Sequence, residues 1–307
     1  MVGQIAMLAD KAPDEKRNII FAINALILHT AGSLGAFLAA LPDLFQAHGL
    51  EELSSYRALF GIGCIMSLFY IVVLSFYKEG DTVRKTTASG EVERRFGLHN
   101  VIPQKSKKFV AKMGLLGAFD SFGSSLHSSL LSYWFFVVYG ASVSEIGPLF
   151  AISNLVGSLT LIVGAKLADR IGNVNATVLT HLPAPILLVL LPFAPDFRTA
   201  AILQIIRQAV SRMDNPIKQS YMMALVPREE RARARGITTV FQRLSGSLSP
   251  SVAAYMMSAI STSFPFYIGG AIQFAHDILY YFTFRNLRPP EELAKQVVEL
   301  SPEAEDS

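Results

Sequence analysis

The sequence predicts an all-α integral membrane protein with eight transmembrane helices, and three observations predict it. The 307-residue chain is 51% hydrophobic, with a mean hydropathy of +0.38. Its apolar stretches are about 20 residues long, which is the length a helix needs to cross the bilayer. The loops between them are alternately rich and poor in Lys and Arg. A soluble domain of this composition would expose too much apolar surface to water, so one large soluble helical core is disfavoured.

The predicted helices follow one another through short connections, except after the second. They are expected at 19–44, 58–76, 113–139, 146–165, 174–193, 200–226, 236–257 and 264–284. Pro216 in the sixth helix and Pro250 in the seventh each remove a backbone donor, which predicts a kink in both helices. Kinks of this kind in transporters often lie beside a moving cavity.

Loop charge predicts the orientation in the membrane. One side carries 22 of the 27 Lys and Arg residues, whereas the opposite loops have only Arg57 and Arg198 nearby. Because short translocated loops avoid basic residues, both termini are predicted to be cytoplasmic, in a multi-pass protein of the plasma membrane. The net charge of +3 then reflects this orientation in the lipid bilayer, and no nucleic-acid partner is expected.

Four regions are predicted along the chain. Residues 1–77 would be the remnant of an amino-terminal bundle with two transmembrane helices, and 78–109 a cytoplasmic linker. Residues 110–285 would form a carboxy-terminal six-helix bundle, and 286–307 a cytoplasmic tail. The division depends on the long polar run after the second helix, which has the composition of an interdomain linker.

Catalytic chemistry is not predicted. The chain has no phosphate-binding Gly-x-x-x-x-Gly-Lys-Ser/Thr loop, and Cys64 is its single cysteine. No nucleophile and base set or metal cluster stands out in the sequence. We therefore expect neither an enzyme nor a protein with a cofactor or a metal site.

Several loop motifs resemble those of the major facilitator superfamily. Residues 166–173, Lys-Leu-Ala-Asp-Arg-Ile-Gly-Asn, are similar to the Gly-x-Leu-Ala-Asp-Arg-x-Gly-Arg signature between the second and third helices of each six-helix half. Residues 211–216 and 227–236 look like the fourth helix and following loop of a half, and 13–17 resemble the same loop in the first half. The resemblance implies helices five to twelve of a twelve-helix major-facilitator-like bundle, with the amino-terminal part missing.

This resemblance implies a secondary active transporter that moves a small solute by alternating access, with a proton or sodium ion as the coupling ion. It also implies a gating loop of Asp169, Arg170 and Gly172, whose charges would pair across the two halves in one conformation and release in the other. A solvated turn with helix-capping charges is the alternative reading of that loop.

Polar side chains inside the predicted helices are costly in lipid and usually face a cavity or a partner. Counted as one helix, the sixth stretch has a continuous polar face, and the third has a stripe that includes Trp134. The substrate-cavity candidates are Asp120, Ser124, His127, Arg207, Gln208, Ser211, Arg212, Asp214 and Lys218. In the hypothesis, Arg207 and Arg212 bind an anionic or polar substrate group, and Asp120 or Asp214 carries a coupling proton or balances the arginine.

Other interpretations of these residues stay open. Structural ion pairs, Asp120 with Arg207 or Asp214 with Lys218, would hold the bundle together instead. His127 is expected to be a packed polar residue satisfied by the serines around it. Four further polar residues lie on helices that are peripheral in the family and are not candidates: His181, Gln273, His276 and Asp277.

A truncated or split half-transporter, inactive alone or dependent on a partner polypeptide, is the alternative function. Alternating access needs two bundles that rock about a central site, and two helices before the linker do not make a bundle. The sequence leaves open the substrate, the direction of transport, the coupling ion and the oligomeric state.

Overall fold

The computed structural model describes Leu8, Pro13 and residues 16–38, 41–76 and 102–290, and these parts of the chain are helical with short turns and no strand. Residues 35–101 and the rest of the chain form two compact units. The α-helices are α1 (Arg17–Leu38), α2 (Leu41–Ala47), α3 (Glu52–Ser75), α4 (Lys107–Ser128), α5 (Leu131–Tyr139), α6 (Val143–Ile171), α7 (Asn173–His181), α8 (Pro183–Leu190), α9 (Phe197–Ser211), α10 (Asp214–Leu225), α11 (Arg231–Ala259) and α12 (Phe264–Phe284).

Helical segments occupy each of the eight predicted stretches. Four of the described helical segments are long and apolar enough to cross a membrane: Arg17–Gly35, Glu52–Val73, Val143–Ile171 and Asn173–Phe193. The apolar character of these helices is that of an integral membrane protein. Eight crossings, as a number, stay a prediction.

The predicted domain limits are only partly covered by the described residues. Most of the predicted linker and of the predicted tail lies outside them, as do residues 14 and 15 of the motif at 13–17. The first 18 residues of α1 belong to the same compact unit as α4 to α12, and α2 and α3 belong to the other. The division into an amino-terminal remnant, a linker and a carboxy-terminal bundle stays a prediction.

The first, third, fifth and sixth predicted stretches each contain two α-helices, and the divisions of the third and sixth bear on the site. In the third stretch, α4 ends at Ser128 and α5 begins at Leu131. In the sixth stretch, Arg212 and Met213 lie between the end of α9 and the start of α10. Pro216 explains the second break, because it has no N–H to donate to the carbonyl of Arg212, four residues earlier. That carbonyl accepts from the backbone N–H of Asn215 instead, at 3.3 Å.

Pro250 has a different outcome. The helix α11 continues through it from Arg231 to Ala259 without a break. Neighbouring α4 packs closely along α11, because serine hydroxyls on each helix donate to backbone carbonyls on the other. The bonds run from Ser121 to Gln242 at 2.8 Å, from Ser245 to Ala118 at 2.7 Å and from Ser249 to Phe122 at 2.8 Å. Small polar residues are typical of close helix contacts in membranes.

The α9–α10 break packs against a glycine of α6, and this contact gives a testable prediction. A Cβ atom at Gly164 would lie 2.6 Å from the carbonyl oxygen of Met213 and 3.0 Å from its Cβ. We expect Gly164→Ala to lower the free energy of unfolding by about 1–3 kcal/mol, because backbone atoms have to shift. Gly147→Ala on the same helix is the matched control, since its Cβ would meet nothing within 4 Å. Chemical unfolding in mixed micelles measures both, and equal stability of the two variants would contradict the predicted clash.

Candidate functional site

A cavity of about 100 Å³ lies between α4, α10, α11 and α12. Its polar lining residues are Asp120, Asn215, Lys218, Gln219, Arg235, Thr238, Gln242, His276 and Tyr280. Two of the predicted cavity candidates, Asp120 and Lys218, are therefore on its wall. A polar cavity inside a helical membrane protein is the kind of site that binds a small solute or an ion.

Lys218 is the central charge of this cavity. Its Nζ lies 2.6 Å from Oδ2 of Asp214, one helical turn earlier, and 3.7 Å from Oδ2 of Asp120 on α4. The predicted Asp214–Lys218 pair is thus present, whereas the alternative pairing of Asp120 with Arg207 is wrong, because Asp120 meets Lys218. The aromatic ring of Tyr280 has its centroid 5.6 Å from the same ammonium group.

Beside the cavity, two histidines share one carboxylate. Nδ1 of His181 lies 2.9 Å from both oxygens of Asp277, and Nδ1 of His276 lies 3.0 Å from Oδ1. The three side chains are almost fully buried, with 1–4% exposure. His181 is the last residue of α7, eight residues after Asn173, and Asp277 is seven residues before Phe284, so the group lies about 10–12 Å along the helix axes from the start of α7 and from the end of α12. We call it the His–Asp–His cluster.

The structure corrects the exclusion of these residues from the candidates. Their helices were expected to be peripheral, yet His276 lines the cavity and Asp277 is buried beside it. The partner residues are 96 positions apart in the sequence, so no local spacing indicates their contact. The one available signal was an adjacent His276 and Asp277 in an otherwise apolar helix.

A second polar group surrounds two arginines of the α9 end, and we call it the arginine cluster. Nε of Arg207 donates to Oε1 of Gln204 at 3.0 Å, and Arg207 is 4% exposed. Arg212 donates to Oδ1 of Asn154 at 2.6 Å and to Nδ1 of His29 at 2.7 Å. With its amide oxygen turned toward Arg212, Gln208 accepts from Nη2 at 2.7 Å and from Nε at 2.6 Å.

The partners of these two arginines within the described residues are amides and an imidazole, and no carboxylate is among them. Elsewhere in the described residues, Lys105, Lys218, His181 and His276 do pair with carboxylates. A buried guanidinium without an anion is costly. Its planar donors also match carboxylate, sulfonate and phosphate groups, so the arginine cluster has the chemistry to bind an anion.

The break between α9 and α10 corrects one prediction. Arg207, Ser211, Asp214 and Lys218 were expected on one continuous helix face, but α9 ends at Ser211. The polar residues therefore divide into the arginine cluster and the Lys218 cavity, with Ser211 half-buried at the boundary.

Ser124 and His127 do not have the predicted environment. Ser124 donates to the carbonyl of Ser121 at 3.2 Å, and Ser129 donates to that of Ser125 at 2.8 Å. Nδ1 of His127 is buried without a hydrogen-bond partner among the described residues, and its ring packs 6.2 Å from that of Phe266. The expectation that the surrounding serines satisfy His127 is wrong for Nδ1, which has no partner, and the hydroxyls of Ser124 and Ser129 bond the backbone instead.

The predicted gating loop links α6 to α7. Gly172 has a φ of +86°, a backbone conformation that residues other than glycine rarely adopt. Its carbonyl accepts from the N–H of Ala176 at 3.0 Å. Oδ1 of Asp169 accepts from Nδ2 of Asn18 on α1 at 2.9 Å, and Arg170 is exposed in the last turn of α6. Asp169 therefore contacts the helix that the family comparison would assign to the first half, while its gating role stays a prediction.

A buried glutamate fixes the start of α4 to the loop between α10 and α11. Oε1 of Glu230 accepts from the backbone N–H groups of Gln104 at 2.8 Å and Lys105 at 3.0 Å, and Oε2 accepts from the N–H and hydroxyl of Ser106 at 3.0 and 2.7 Å. These donors, the Ser106 hydroxyl foremost, lower the pKa of Glu230 from 4.5 to about 2. The carboxylate thereby satisfies backbone amides of the segment that leads into α4.

The depressed pKa predicts a pH-dependent stabilisation. Because the folded pKa lies below the unfolded one, the contribution of Glu230 is complete above about pH 4.5 and is lost as the pH falls toward 2. Glu230→Gln is expected to lower the unfolding temperature at pH 7, with the difference from wild type shrinking as the pH falls through this range. Glu229→Gln is the control, since it only loses an exposed pair with Lys105. A Glu230→Gln effect that does not change between pH 7 and pH 3 would contradict the assignment.

Comparison with known proteins identifies relatives over most of the chain. The chain is 21% identical over 300 residues to an uncharacterized membrane protein of Saccharomyces cerevisiae, covering 89% of this chain and 67% of the relative. It is 25% identical over 147 residues to a probable sulfoacetate transporter of Cupriavidus necator, covering 48% of this chain and 34% of that one.

Solved structures have the same fold. A human organic anion transporter matches with a TM-score of 0.66 and 14% identity. The match covers 90% of this chain and 66% of the transporter chain. A proton:xylose symporter bound to 6-bromo-6-deoxy-D-glucose matches with a TM-score of 0.64 and 16% identity, covering 91% and 66%. The chain therefore spans about two thirds of the length of these structures, and both are transporters rather than enzymes.

The family profile of the Major Facilitator Superfamily matches residues 1–203 and 113–303 in two overlapping segments. Together the segments cover nearly the whole chain and include the α6–α7 loop that suggested the family. This protein is an integral membrane protein of the Major Facilitator Superfamily.

Proposed function

We propose that this chain belongs to a secondary active transporter that carries a small organic anion, with the arginine cluster as its anion-binding group. The observation that carries the proposal is the pair of Arg207, which is buried, and Arg212, which is half-buried, whose described partners are all uncharged or weakly basic. Membership of a transporter family makes solute movement the general activity, and the arginines select the chemical class of the solute.

The geometry around the arginines supports an anion. Gln204, Gln208 and Asn154 hold the two guanidinium groups by accepting from them, so part of each donor fork is fixed in place. A guanidinium held in this way loses little conformational entropy when it binds a planar or tetrahedral anion. The bound anion would supply the negative charge that the arginine cluster lacks.

Two relatives carry organic anions by name, which supports the same class. One is the probable sulfoacetate transporter, and the other is the human organic anion transporter. Sulfoacetate, with a sulfonate at one end and a carboxylate at the other, has two groups of the shape that an arginine fork binds bidentately. The cavity around Lys218 is the proposed place of the coupling ion, for which we favour a proton.

The experiment is a thermal-shift series on the purified full chain in lipid nanodiscs. We expect sulfoacetate to raise the unfolding temperature and the neutral sugar xylose to leave it unchanged. A ligand at 100 times its dissociation constant stabilises the folded state by about 2.7 kcal/mol, which such a measurement resolves. Sodium chloride and sodium sulfate at equal ionic strength control for general salt effects.

Stabilisation by xylose to the same degree would contradict an anion site. So would stabilisation by sulfoacetate that survives removal of both arginines, in an Arg207→Gln, Arg212→Gln double variant. Uptake of radiolabelled sulfoacetate into proteoliposomes of the full chain then tests transport itself, as distinct from binding.

A further inference from the structure

The charges around the Lys218 cavity do not balance if its histidines are neutral. Asp120, Asp214 and Asp277 are three carboxylates, whereas Lys218 is the one ammonium group that contacts any of them among the described residues. With neutral rings at His181 and His276, the three carboxylates and Lys218 would sum to about −2, and Arg235 on the cavity wall would reduce this to about −1. Uncompensated charge is expensive in a buried site within a membrane.

A continuous set of contacts connects these groups. The Lys218 ammonium lies over Tyr280, whose ring centroid is 5.8 Å from that of His276. His276 and His181 both contact Asp277, and their ring centroids are 6.4 Å apart. Because His276 also lines the cavity, the His–Asp–His cluster is next to the space that a solute or water enters.

The helices around α12 carry the other charged groups near the cluster. On α4 the facing groups are Asp120 and, nearer the end of the helix, His127, and α8 has no titratable residue. On α10 they are Asp214 and Lys218, and on α11 Arg235 lines the cavity without forming an ion pair with these carboxylates in the described structure. The remaining groups that can supply positive charge directly at Asp277 are its two histidines.

The hydrogen bonds leave room for that positive charge. A carboxylate only accepts, so Nδ1 of each histidine must carry a hydrogen that it donates to Asp277. The second ring nitrogen, Nε2, is then the atom that gains or loses a proton. Counted with Lys218 and Arg235, protonation of one ring would bring the net charge around the cavity to about zero.

We propose that the His–Asp–His cluster is a proton-binding site, occupied at neutral pH by at least one proton beyond those of two neutral histidines. The proton arrives from hydronium in the cavity, adds to Nε2 of a histidine and leaves water behind, and it departs by the reverse step. This step rests on the proposed function: in that transporter, the proton bound by the cluster is the coupling ion.

The test is nitrogen NMR of the purified full chain, labelled with ¹⁵N-histidine, in nanodiscs between pH 5 and 9. The chain has six histidines, so single substitutions assign the signals. We expect at least one of His181 and His276 to have the ring shifts of a charged imidazolium at pH 7, and Asp277→Asn to convert that ring to the neutral form. His48→Gln is the matched control, because it removes an exposed histidine and should leave the cluster signals unchanged.

Two neutral rings at pH 7 in the wild type would overturn the proton-binding site. If Asp277→Asn does not fold, two other variants replace it. Asp277→Glu keeps the negative charge, and His276→Gln removes one ring, so that the ring shifts of His181 decide whether the cluster holds the extra proton. In the proposal His181 is charged in His276→Gln, because Asp277 still needs a counter-charge and His181 is its remaining histidine partner. A neutral His181 in that variant contradicts the proposal.

Coupling is separated from solute choice by a second measurement. Sulfoacetate uptake and exchange by proteoliposomes are compared with and without an inward proton gradient, for wild type and the His181→Gln, His276→Gln double variant. We expect the gradient to stimulate wild type and not the double variant, because both histidine partners of Asp277 are then removed. Exchange without stimulation in wild type overturns the coupling proton and leaves the proposed anion transport intact, whereas charged histidines without any sulfoacetate binding overturn the proposed function and leave the proton site intact.

Discussion

Arg207→Ala is expected to weaken organic-anion binding by at least about 30-fold and to abolish sulfoacetate uptake. Loss of one partner from a buried, hydrogen-bonded charged contact costs about 2–5 kcal/mol, and each 1.4 kcal/mol is a factor of ten in the dissociation constant. Arg207 is buried, and its described contact is to Gln204 rather than to a carboxylate, so a bound anion would be its charged partner. Thermal shift against sulfoacetate concentration and proteoliposome uptake measure the two effects.

The controls separate charge from shape and from insertion. Arg198→Ala changes an exposed arginine at the start of the same helix and should bind and transport as wild type does. Arg207→Lys keeps a positive charge without the planar fork, so its affinity should lie between those of wild type and Arg207→Ala. Unchanged uptake by Arg207→Ala at equal membrane insertion would exclude Arg207 from the anion site.

The fold was predictable to the extent that apolar length and loop charge determine it. Each predicted stretch contains helix because about 20 apolar residues have few other stable conformations in lipid. The breaks were harder to predict. Pro216 indicated the one at Arg212, but the break at Ser129 and Leu130 has no proline, and its sequence of serines next to an apolar run gives no comparable signal.

The site was predictable only in its local part. Asp214 and Lys218 are one helical turn apart, so their pairing follows from helix geometry. The contacts of His181 with Asp277 and of Arg212 with His29 join residues 96 and 183 positions apart. Such contacts depend on which helices are neighbours, and periodicity within one helix carries no information about that. A general family expectation of peripheral helices therefore misled the reading of α7 and α12.

The arginine cluster and the Lys218 cavity also differ in the charge of the groups around them, which helix periodicity did not predict. A single polar face on the sixth stretch would have placed Arg207 and Lys218 in one site, with Asp120 available to either. The break at Arg212 separates them, so carboxylates surround Lys218 and amides surround the arginines. In the proposed function, this separation gives the anion and the proton different binding groups.

Lys218→Met has the largest expected effect on stability. It removes the ammonium group between Asp214 and Asp120 and leaves Asp214, which is 2% exposed, as a buried charge without its partner. Breaking a buried pair on one side costs about 3–5 kcal/mol. We therefore expect the free energy of unfolding in mixed micelles to fall by about that amount, whereas Lys112→Met, at an exposed position of α4, should be close to neutral.

A double variant determines whether the loss comes from the stranded carboxylate. Lys218→Met combined with Asp214→Asn removes both charges, and the neutral amide no longer requires a counter-ion, so most of the lost stability should return. Asp120 tolerates the change better, because its side chain is 26% exposed toward the cavity and water can solvate it. If the double variant is as unstable as Lys218→Met alone, packing of the lysine stem rather than charge balance holds α10 against α4, and the electrostatic account of the cavity would have to be abandoned.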